Sequence, residues 1–473
     1  MHSMQLAPTE QRTSNAALLT TLAPVLPAVA ILLLWWPSLS ASFQFDDWNV
    51  IVNEPRVHSL AAWWQSMPGI RPLLKLSYAL NMTIDAGPTG FRVVNILIHA
   101  LSATLVWSLL RTRGIRAGLA EVDASGAALI AALVFALHPA QTEAVTYISG
   151  RSSALAGCFC LLSLYCWVRS EQTERAAWLA ACCICFGLAA ATKETALILP
   201  LALLLYSADR PWALTVKRLT PLLLLMVLMF CVALSLPTYR RLLAVSLDTR
   251  TIGENVLTQS QAVLYLAGQL IRIANSNVDP QLPVVTSLNW PSVALCLAWL
   301  SILGIASSNV RRAPVSAFAV LWFLLWLAPT NSLLPRLDVA NDRQLYLALM
   351  GPAWWLAARL TSWQRHRPAL LLVAVGILLA ALSWATYQRN RVYQTEIAFW
   401  QDAAERDPDN SRAANNLGMA YAVDCRFNEA AKEFQRASTL SPDDYVSRIN
   451  LILLHKGQLP GVDAQRCAAT TSR

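Results

Sequence analysis

The sequence predicts an all-α fold, in which a polytopic bundle of membrane helices is followed by a short helical-repeat domain. Of its 473 residues, 56% are hydrophobic and only 14% are charged, whereas about a quarter of the residues of a soluble chain are charged. The apolar residues fall in runs that suit helices crossing a bilayer. These runs end near Tyr387, where a repeat-like pattern begins. We therefore expect a membrane domain over residues 1–387 and a repeat domain over residues 388–473.

The apolar runs predict about eleven spans, with the amino end in the cytoplasm and the carboxyl end outside. Their expected bounds are residues 16–37, 91–110, 126–147, 153–168, 176–191, 195–207, 219–236, 293–308, 316–330, 345–361 and 368–387. Arg111, Arg113 and Arg116 follow the second run with no acid among them, and such basic clusters mark the cytoplasmic side. Residues 259–273 have a helical period but carry several polar side chains, so we expect an interfacial helix there.

The loop over residues 41–90 contains an acidic and aromatic motif directly after the first apolar run. Asp46 and Asp47 are adjacent and lie among Phe43, Phe45 and Trp48. Aromatic residues favour the membrane interface, where burial and like charge can raise a carboxyl pKa towards that of a general base. The topology places this loop outside the cytoplasm. We interpret Asp46 and Asp47 as candidate catalytic residues, and an acidic loop without a catalytic role is the alternative.

Two further polar groups fall on the same predicted side. His138, Glu143 and Arg151 lie in a break between two apolar runs, where polar residues tend to be functional because their burial is costly. A divalent metal ion bound by His138 and Glu143 is an alternative interpretation, although the sequence defines no third ligand. Lys193 and Glu194 separate two other apolar runs, and they are either phosphate ligands or an ion pair that caps helix ends.

Arg343 is the strongest candidate for a lipid-phosphate ligand. It lies at the mouth of a predicted span, where a guanidinium can bind a phosphate through two parallel hydrogen bonds. Asp338 and Asp342 are expected to hold it in place. Arg71 in the first loop and Lys193 are expected to assist it, although a headgroup anchor is an equal interpretation of Arg71.

The carboxyl-terminal part has the signature of a tetratricopeptide repeat. Ala414, Leu417, Gly418, Tyr421, Ala430, Phe434, Ala437 and Pro442 occupy the signature positions of one repeat, and Trp400, Ala403 and Pro408 match the second half of an earlier one. A third unit is incomplete after Tyr445. Because about three units are normally needed for independent stability, we expect this domain to lean on the membrane domain.

Several motifs occur in a characteristic order along the chain. They are Phe45-Asp46-Asp47 with Asn53, Arg71-Pro72-Leu73, Asn95 with His99, His138-Pro139 with Glu143 and Ser149-Gly150-Arg151, Lys193-Glu194-Thr195, and Asp342-Arg343 before Tyr346. With the terminal repeats, this order resembles that of the transmembrane and tetratricopeptide-repeat-containing O-mannosyltransferases and their bacterial relatives. These belong to the GT-C glycosyltransferases, which use polyprenyl-phosphate sugars.

The resemblance implies a multi-pass protein of the bacterial inner membrane, with its active site and repeats on the periplasmic face. It implies a polyprenyl-phosphate-sugar donor, Asp46 as the catalytic base and Arg343 near the lipid phosphate. A single displacement would invert the anomeric centre. The repeats favour a Ser or Thr hydroxyl of a protein as the acceptor. The carboxyl-terminal part of this chain differs from that of the eukaryotic family members, because those proteins carry long repeat arrays.

Other classes of function remain open at this stage. A non-catalytic, membrane-anchored repeat scaffold is the main alternative. A transporter would carry charges near the membrane midplane, whereas the charges here gather at one face. The Lys and Arg residues that give the net charge of +9 lie in short clusters between apolar runs. A nucleic-acid partner is therefore not expected. Most of the 10 cysteines lie within apolar runs, and a disulfide between Cys425 and Cys467 is left open.

Overall fold

The computed structural model describes residues 22–67, 69–274, 276–363, 366–463 and 467. These residues form helices joined by loops and short turns, and they contain no β-strand, in agreement with the predicted all-α class. The first part comprises α1 (Leu26–Trp35), α2 (Leu60–Gln65), α3 (Pro72–Ile84), α4 (Pro88–Arg116), α5 (Glu121–Leu137), α6 (Thr142–Val145), α7 (Arg151–Thr173), α8 (Ala176–Thr192), α9 (Leu199–Tyr206), α10 (Trp212–Ser235), α11 (Pro237–Thr249), α12 (Ile252–Gln269), α13 (Trp290–Ser308), α14 (Pro314–Leu327), α15 (Leu345–Ala348), α16 (Met350–Thr361) and α17 (Pro368–Val392). The carboxyl-terminal part comprises α18 (Glu396–Arg406), α19 (Ser411–Val423), α20 (Phe427–Leu440) and α21 (Tyr445–His455).

Among the described residues, five helices are long and apolar enough to cross a membrane. They are α4, α7 with the turn before it, α10, α13 and α17. A sixth candidate is α5 with the segment that follows it, bent by 54°. The chain is therefore a multi-pass membrane protein, while the predicted number of about eleven spans stays a prediction. The predicted first span lies partly outside the described residues, and α1 is its described helix.

The bend after α5 is the feature that positions the site. Residues 138–150, here named the buried turn, leave the helix at His138-Pro139 and lie within the protein. Irregular backbone at membrane depth requires protein partners for its polar groups. Arg92 Nε donates to the Thr146 carbonyl at 3.1 Å, and Asn95 Nδ2 donates to the Val145 carbonyl at 3.0 Å. The sequence predicted one continuous span over residues 126–147, with the break between spans after it. In the structure the helix ends within that range, because the proline and these buried partners interrupt it.

Helix α12 has other bounds than the interfacial helix expected over residues 259–273, and its location relative to the membrane stays a prediction. It begins earlier, at Ile252, and it ends at Gln269. Gln259 and Gln269 are buried, and Asn331 Nδ2 donates to Gln259 Oε1 at 2.8 Å. The polar side chains of this helix therefore lie inside the protein, near the loop that precedes Arg343. Periodicity alone does not distinguish this burial from contact with headgroups.

The carboxyl-terminal helices pack as the repeat signature requires. Helices α19 and α20 form a hairpin in which Gly418 faces the ring of Phe434, and a Cβ on that glycine would lie 2.7 Å from the ring. Ala414 and Ala437 are buried in the same region. A disulfide joins Cys425, in the turn of this hairpin, to Cys467. The packing is consistent with a tetratricopeptide repeat, which stays a prediction.

The carboxyl-terminal part shares a hydrophobic cluster with the membrane part. Phe399 and Trp400 of α18 pack with Tyr147 of the buried turn and with Val278 of the loop after α12. On the other side, Arg412 of α19 forms ion pairs with two acidic residues of that loop and of the loop before Arg343. The expected contact between the two parts is therefore present, and it is concentrated where the site residues lie.

Candidate functional site

A small cavity, here named the acidic cavity, lies where the first loop, the buried turn and the carboxyl-terminal helices meet. It is lined by Phe45, Asp46, Glu143, Tyr147, Val278, Asp279, Pro280, Asp338, Ala340, Asn341, Arg343, Tyr393 and Phe399. Three candidates that are far apart in sequence, Asp46, Glu143 and Arg343, thus meet around one space. The wall opposite the membrane helices includes side chains of α18 and the residues just before it.

The backbone of the first loop presents Asp46 to this cavity. Phe45 has a φ of 41°, in the left-handed region that a bulky residue rarely adopts. The Asp46 amide donates to the Tyr147 hydroxyl at 3.1 Å, which fixes the loop against the buried turn. The Asp46 carboxylate lines the cavity and remains partly exposed. It is therefore available to a bound molecule.

Asp47 points the other way and is fully buried. Its Oδ1 accepts hydrogen bonds from the Ser149 amide at 2.8 Å and from the Ser149 hydroxyl at 2.5 Å. Its Oδ2 accepts from the Gln44 amide at 3.0 Å. Burial raises the pKa of Asp47 to about 6, although these hydrogen bonds oppose the increase. The two adjacent carboxylates therefore have different surroundings: Asp46 faces the cavity, and Asp47 joins the loop to the buried turn.

Arg343 is held by Glu143 of the buried turn. Glu143 Oε2 accepts from the Arg343 amide at 3.1 Å, and Glu143 Oε1 lies 3.4 Å from Arg343 Nε. The expected partners lie elsewhere, since Asp342 accepts from Gln269 Nε2 at 3.3 Å and Asp338 pairs with a repeat-domain arginine. The expectation that Asp338 and Asp342 bind this guanidinium directly is thus corrected, because the bend of 54° at His138 brings a more distant acid to it.

A second cavity, here named the basic cavity, adjoins the first and shares Arg343 with it. Its other polar lining includes Lys193, Ser153 and Thr195. Lys193 is buried, and its Nζ donates to Ser153 Oγ at 2.7 Å. Burial, together with repulsion from Arg343, lowers the pKa of Lys193 well below its ordinary value. The basic cavity is therefore a polar pocket beside the acidic cavity, with a buried lysine amine and a guanidinium in its wall.

Arg71 and Glu194 lie beside Lys193 and bind each other. Arg71 Nη2 lies 2.9 Å from Glu194 Oε2, and Arg71 Nε also donates to both carboxylate oxygens. The Tyr239 hydroxyl donates to Glu194 Oε1 at 3.2 Å. The Arg71 guanidinium is thus bound by an acid, whereas Lys193 Nζ is bonded to a neutral hydroxyl. The sequence predicts that Lys193 and Glu194 are either phosphate ligands or an ion pair that caps helix ends. In the structure, Glu194 pairs with Arg71 and not with Lys193.

A third cavity, here named the apolar cavity, has a volume of about 560 Å³. It is lined by Glu194, Thr195, Leu197, Ile198, Pro200, Leu201, Leu223, Met226, Val227, Phe230, Ala328, Pro329 and Ser332. Leu201, Val227 and Phe230 are about half exposed, so this cavity opens on the apolar surface of the helices. Thr195 lines both the apolar and the basic cavities. The three cavities therefore follow one another from an apolar surface to Asp46.

His138 and Arg151 support the buried turn and do not line these cavities. His138 Nδ1 accepts from the Ala140 amide at 3.2 Å. Arg151 is fully buried and donates to Asn95 Oδ1 at 2.6 Å and to Asn81 Oδ1 at 2.8 Å. Within the described part of the chain, no group of three or more His, Cys, Asp or Glu residues is placed to hold a metal ion.

Sequence reasoning missed several residues that shape the site. Arg92 reaches the carbonyls of Ala41 and Ser42 in the first loop as well as the buried turn. The signal that was available is an arginine within an apolar run, which usually has a specific partner. Arg412 pairs with Asp279 and with Asp338, at 3.0 Å for the latter. No local pattern distinguishes this arginine from the other charged residues of the repeats.

The sequence of this chain is similar to those of known proteins. Residues 68–237 match the family described as dolichyl-phosphate-mannose-protein mannosyltransferase. The chain is 24% identical over 481 residues to protein O-mannosyl-transferase TMTC3 of Homo sapiens, covering 88% of this chain and 51% of that protein. It is 25% identical over 532 residues to Tmtc3 of Drosophila melanogaster, covering 89% and 55%. A shorter match to human TMTC4 reaches 34% identity over 168 residues, or 30% of this chain and 22% of that protein. The chain thus spans about half the length of TMTC3 and of Drosophila Tmtc3.

Proposed function

We propose that this chain, a GT-C glycosyltransferase relative akin to the TMTC O-mannosyltransferases, transfers a sugar from a polyprenyl-phosphate donor to an acceptor hydroxyl. The observation that carries the proposal is the sequence of three adjoining cavities. The apolar cavity suits a prenyl chain and opens on an apolar surface. The basic cavity offers a guanidinium and a lysine to a phosphate, and the acidic cavity, with a volume of about 30 Å³, presents Asp46 to the hydroxyl that attacks the sugar.

The proposed reaction is a single displacement at the anomeric carbon. Asp46 takes the proton of the acceptor hydroxyl, whose oxygen forms the new bond to that carbon. The bond from the anomeric carbon to the phosphate oxygen breaks, and its electron pair stays on the phosphate. Arg343 stabilises the charge that develops there, and Lys193 donates a hydrogen bond to it. Glu143 holds the Arg343 guanidinium between the two cavities. Such a displacement inverts the anomeric centre.

The proposed acceptor is a Ser or Thr hydroxyl of a protein. Tyr393 and Phe399 of the carboxyl-terminal part line the acidic cavity, so an acceptor would pass this part to reach Asp46. The relatives bear the name protein O-mannosyl-transferase, which makes a mannosyl donor and a peptide acceptor the first pair to test. Residues 388–473 are proposed to act as a tetratricopeptide-repeat domain, which guides the acceptor or braces the site.

The proposed location is the bacterial inner membrane, with the site and the carboxyl-terminal helices on the periplasmic face. Basic clusters at the opposite helix ends support this orientation. The disulfide between Cys425 and Cys467 supports it independently, because disulfides persist in oxidising compartments and are rare in the cytosol.

The test is transfer by the purified full chain in lipid nanodiscs. The substrates are synthetic polyprenyl-phosphate mannose and a Ser/Thr peptide, and the product is measured by mass spectrometry. Asp46→Asn removes the proton acceptor and keeps its shape, so turnover should fall by about 10²- to 10⁴-fold. Asp248→Asn is the matched control, because Asp248 is exposed on α11. Full turnover by Asp46→Asn would exclude Asp46 as the base, and the absence of any lipid-linked transfer by the wild type would favour the scaffold alternative.

A further inference from the structure

Arg412, near the start of α19, joins two loops of the membrane part. Its Nε donates to Asp279 Oδ2 at 2.9 Å, in the loop after α12, and its Nη1 donates to Asp338 Oδ1 at 3.0 Å, in the loop before Arg343. Asn410, the N-cap residue of α19, also donates to Asp279 Oδ2, at 3.1 Å. A single arginine of the carboxyl-terminal part therefore binds both loops. Asp279 and Asp338 are here named the bridged acids.

Both bridged acids line the acidic cavity, together with Asp46 and Glu143. Four carboxyl side chains thus surround one small space. Glu143 is paired with Arg343, and the bridged acids are paired with Arg412. Two cations therefore bind three of the four acids, and the fourth acid is Asp46, the proposed base.

Ionisable groups face Asp46 from every element around it. Arg343 attracts its carboxylate, and the Tyr147 hydroxyl accepts from its amide at 3.1 Å. The other ionisable groups belong to the cavity wall, to the first loop and to the helix packed against that loop, and they are Glu143, Asp279, Asp338, Tyr393, Asp47 and Glu396. Because acids predominate among these groups, a cation bonded to two of them changes the charge around Asp46.

The charge of the cavity wall matters for a general base, which accepts a proton only when it is ionised. Nearby negative charge makes a carboxyl group harder to ionise, and nearby positive charge makes it easier. The bridge contains two carboxylates and one guanidinium. It therefore contributes one net negative charge to the wall, whereas the bridged acids without Arg412 would contribute two.

We propose that Arg412 is a positioning residue that limits the negative charge of the acidic cavity and so keeps Asp46 available as the proton acceptor at neutral pH. This inference rests on the proposed function. It gives the carboxyl-terminal part an electrostatic role in the reaction, in addition to its packing against the first loop. Arg412 acts through the bridged acids.

The experiment measures the pH dependence of kcat/KM for the full chain in nanodiscs. The donor is synthetic polyprenyl-phosphate mannose, a phosphodiester whose single charge is constant over the range used. The acceptor is a Ser/Thr peptide with capped ends and no ionisable side chain. Arg412→Gln should move the acidic limb of the profile to higher pH by about 0.5–1 pH unit. On that limb kcat/KM should fall roughly three- to tenfold, while the plateau at high pH changes by less than about twofold.

Three further variants separate the charge of Arg412 from its bonds. Arg412→Lys keeps the charge but cannot reproduce the planar fork, and it should leave the acidic limb in place. Asp338→Asn removes a negative charge, so it should move the limb to lower pH, opposite to Arg412→Gln. The two substitutions combined abolish this contact but restore the net charge of the wall, and the limb should return to its wild-type position. Arg448→Gln is the matched control, because Arg448 is exposed on α21.

The inference is overturned, and the proposed function is left in place, if Arg412→Gln has the wild-type limb. It is also overturned if Arg412→Gln and Asp338→Asn lower the plateau without opposite movements of the limb, since the bridge would then be structural only. If Arg412→Gln does not fold, Asp338→Asn decides alone, and an unmoved limb overturns the inference. A wild-type chain that transfers no sugar would overturn the proposed function itself, and the inference with it.

Discussion

The ring of Phe45 packs edge to face against the indole of Trp400, with the ring centroids 5.1 Å apart and the ring planes at 86°. Phe45 directly precedes Asp46, and Trp400 belongs to the first helix of the carboxyl-terminal part. Nearby, Trp48 Nε1 donates to Glu396 Oε1 at 2.9 Å. The conformation of the first loop therefore depends on a domain that is distant in sequence, so the carboxyl-terminal part belongs to the candidate site.

The first prediction follows from this contact. Trp400→Ala should lower turnover on a short peptide at least tenfold, because Phe45 loses the ring that holds its left-handed backbone. The same change should lower stability by about 3–5 kcal/mol, since a buried indole is removed. Turnover is measured below the unfolding temperature of each variant, and Trp400→Phe, which keeps an aromatic ring, should retain most of the activity.

A truncation after residue 393 distinguishes two roles of the carboxyl-terminal part, recognition of a protein acceptor and support of the first loop. If helices α18–α21 only recognise a protein acceptor, a short peptide is still modified after their removal. The packing of Phe45, Tyr147 and Val278 against α18 leads us to expect loss of transfer to both acceptors. Normal modification of the short peptide would contradict a role for α18 in holding the first loop.

The second prediction concerns Asp47 and has a defined pH window. Its pKa in the folded chain, about 6, lies above the ordinary value of 3.8. The folded chain therefore binds more protons between these pH values, and this contribution to stability falls as pH rises through the window. The expected change is about 3 kcal/mol. The stability of the wild type relative to Asp47→Asn, measured by thermal unfolding in detergent, should decrease from pH 4 to pH 7.

The control for this measurement is the exposed Asp248→Asn, which should leave the pH profile of the wild type unchanged. Parallel profiles for the wild type and Asp47→Asn would show that Asp47 does not titrate in this window. Because Asp47 binds Ser149 and Gln44, Asp47→Asn should also lower turnover. The decrease should be smaller than for Asp46→Asn, since Asp47 acts through the position of the loop.

The all-α class and the presence of several membrane helices could be predicted from the sequence, because long apolar runs are local patterns. The tetratricopeptide repeat and the number of spans stay predictions. The position of the break after α5 is harder to predict, since the buried turn needs partners such as Arg92 that lie on another helix. Sequence patterns also selected Asp46, Glu143 and Arg343, which the structure brings around one cavity, while their catalytic roles stay predictions.

The finer relationships of the site depend on tertiary contacts. Which of the two adjacent acids faces the cavity depends on contacts of the folded loop, among them the hydrogen bonds of Asp47 to Ser149 and Gln44. Which acid binds Arg343 depends on the bend of 54° that brings Glu143 across 200 residues of sequence. Neither property is encoded in residue type or spacing. The residues alone could therefore name the candidates, whereas the separate roles of Asp46 and Arg343 came from the family resemblance.

The third prediction tests the geometry of Arg343. Arg343→Lys should impair transfer nearly as much as Arg343→Ala, by roughly 10- to 100-fold. An ammonium cannot bind two phosphate oxygens in the plane of a guanidinium, and it cannot at the same time keep the contact that Arg343 Nε makes with Glu143 at 3.4 Å. The measurement is turnover at varied donor concentration, with Arg391→Lys as the matched control. Wild-type kinetics in Arg343→Lys would mean that a point charge is sufficient.

The last prediction concerns the side of the membrane on which the site lies. Asn428 is exposed at the start of α20, beside the hairpin turn that carries the disulfide of Cys425 and Cys467. In a chain whose other free cysteines are replaced, Asn428→Cys should react with a membrane-impermeant thiol reagent in intact spheroplasts. The disulfide and the basic clusters at the opposite helix ends both point to this outcome. The control is Ala117→Cys in the loop after α4, beside Arg116, which should react only after lysis. If the two positions exchange their behaviour, the carboxyl-terminal helices and Asp46 face the cytoplasm, and a periplasmic acceptor is excluded.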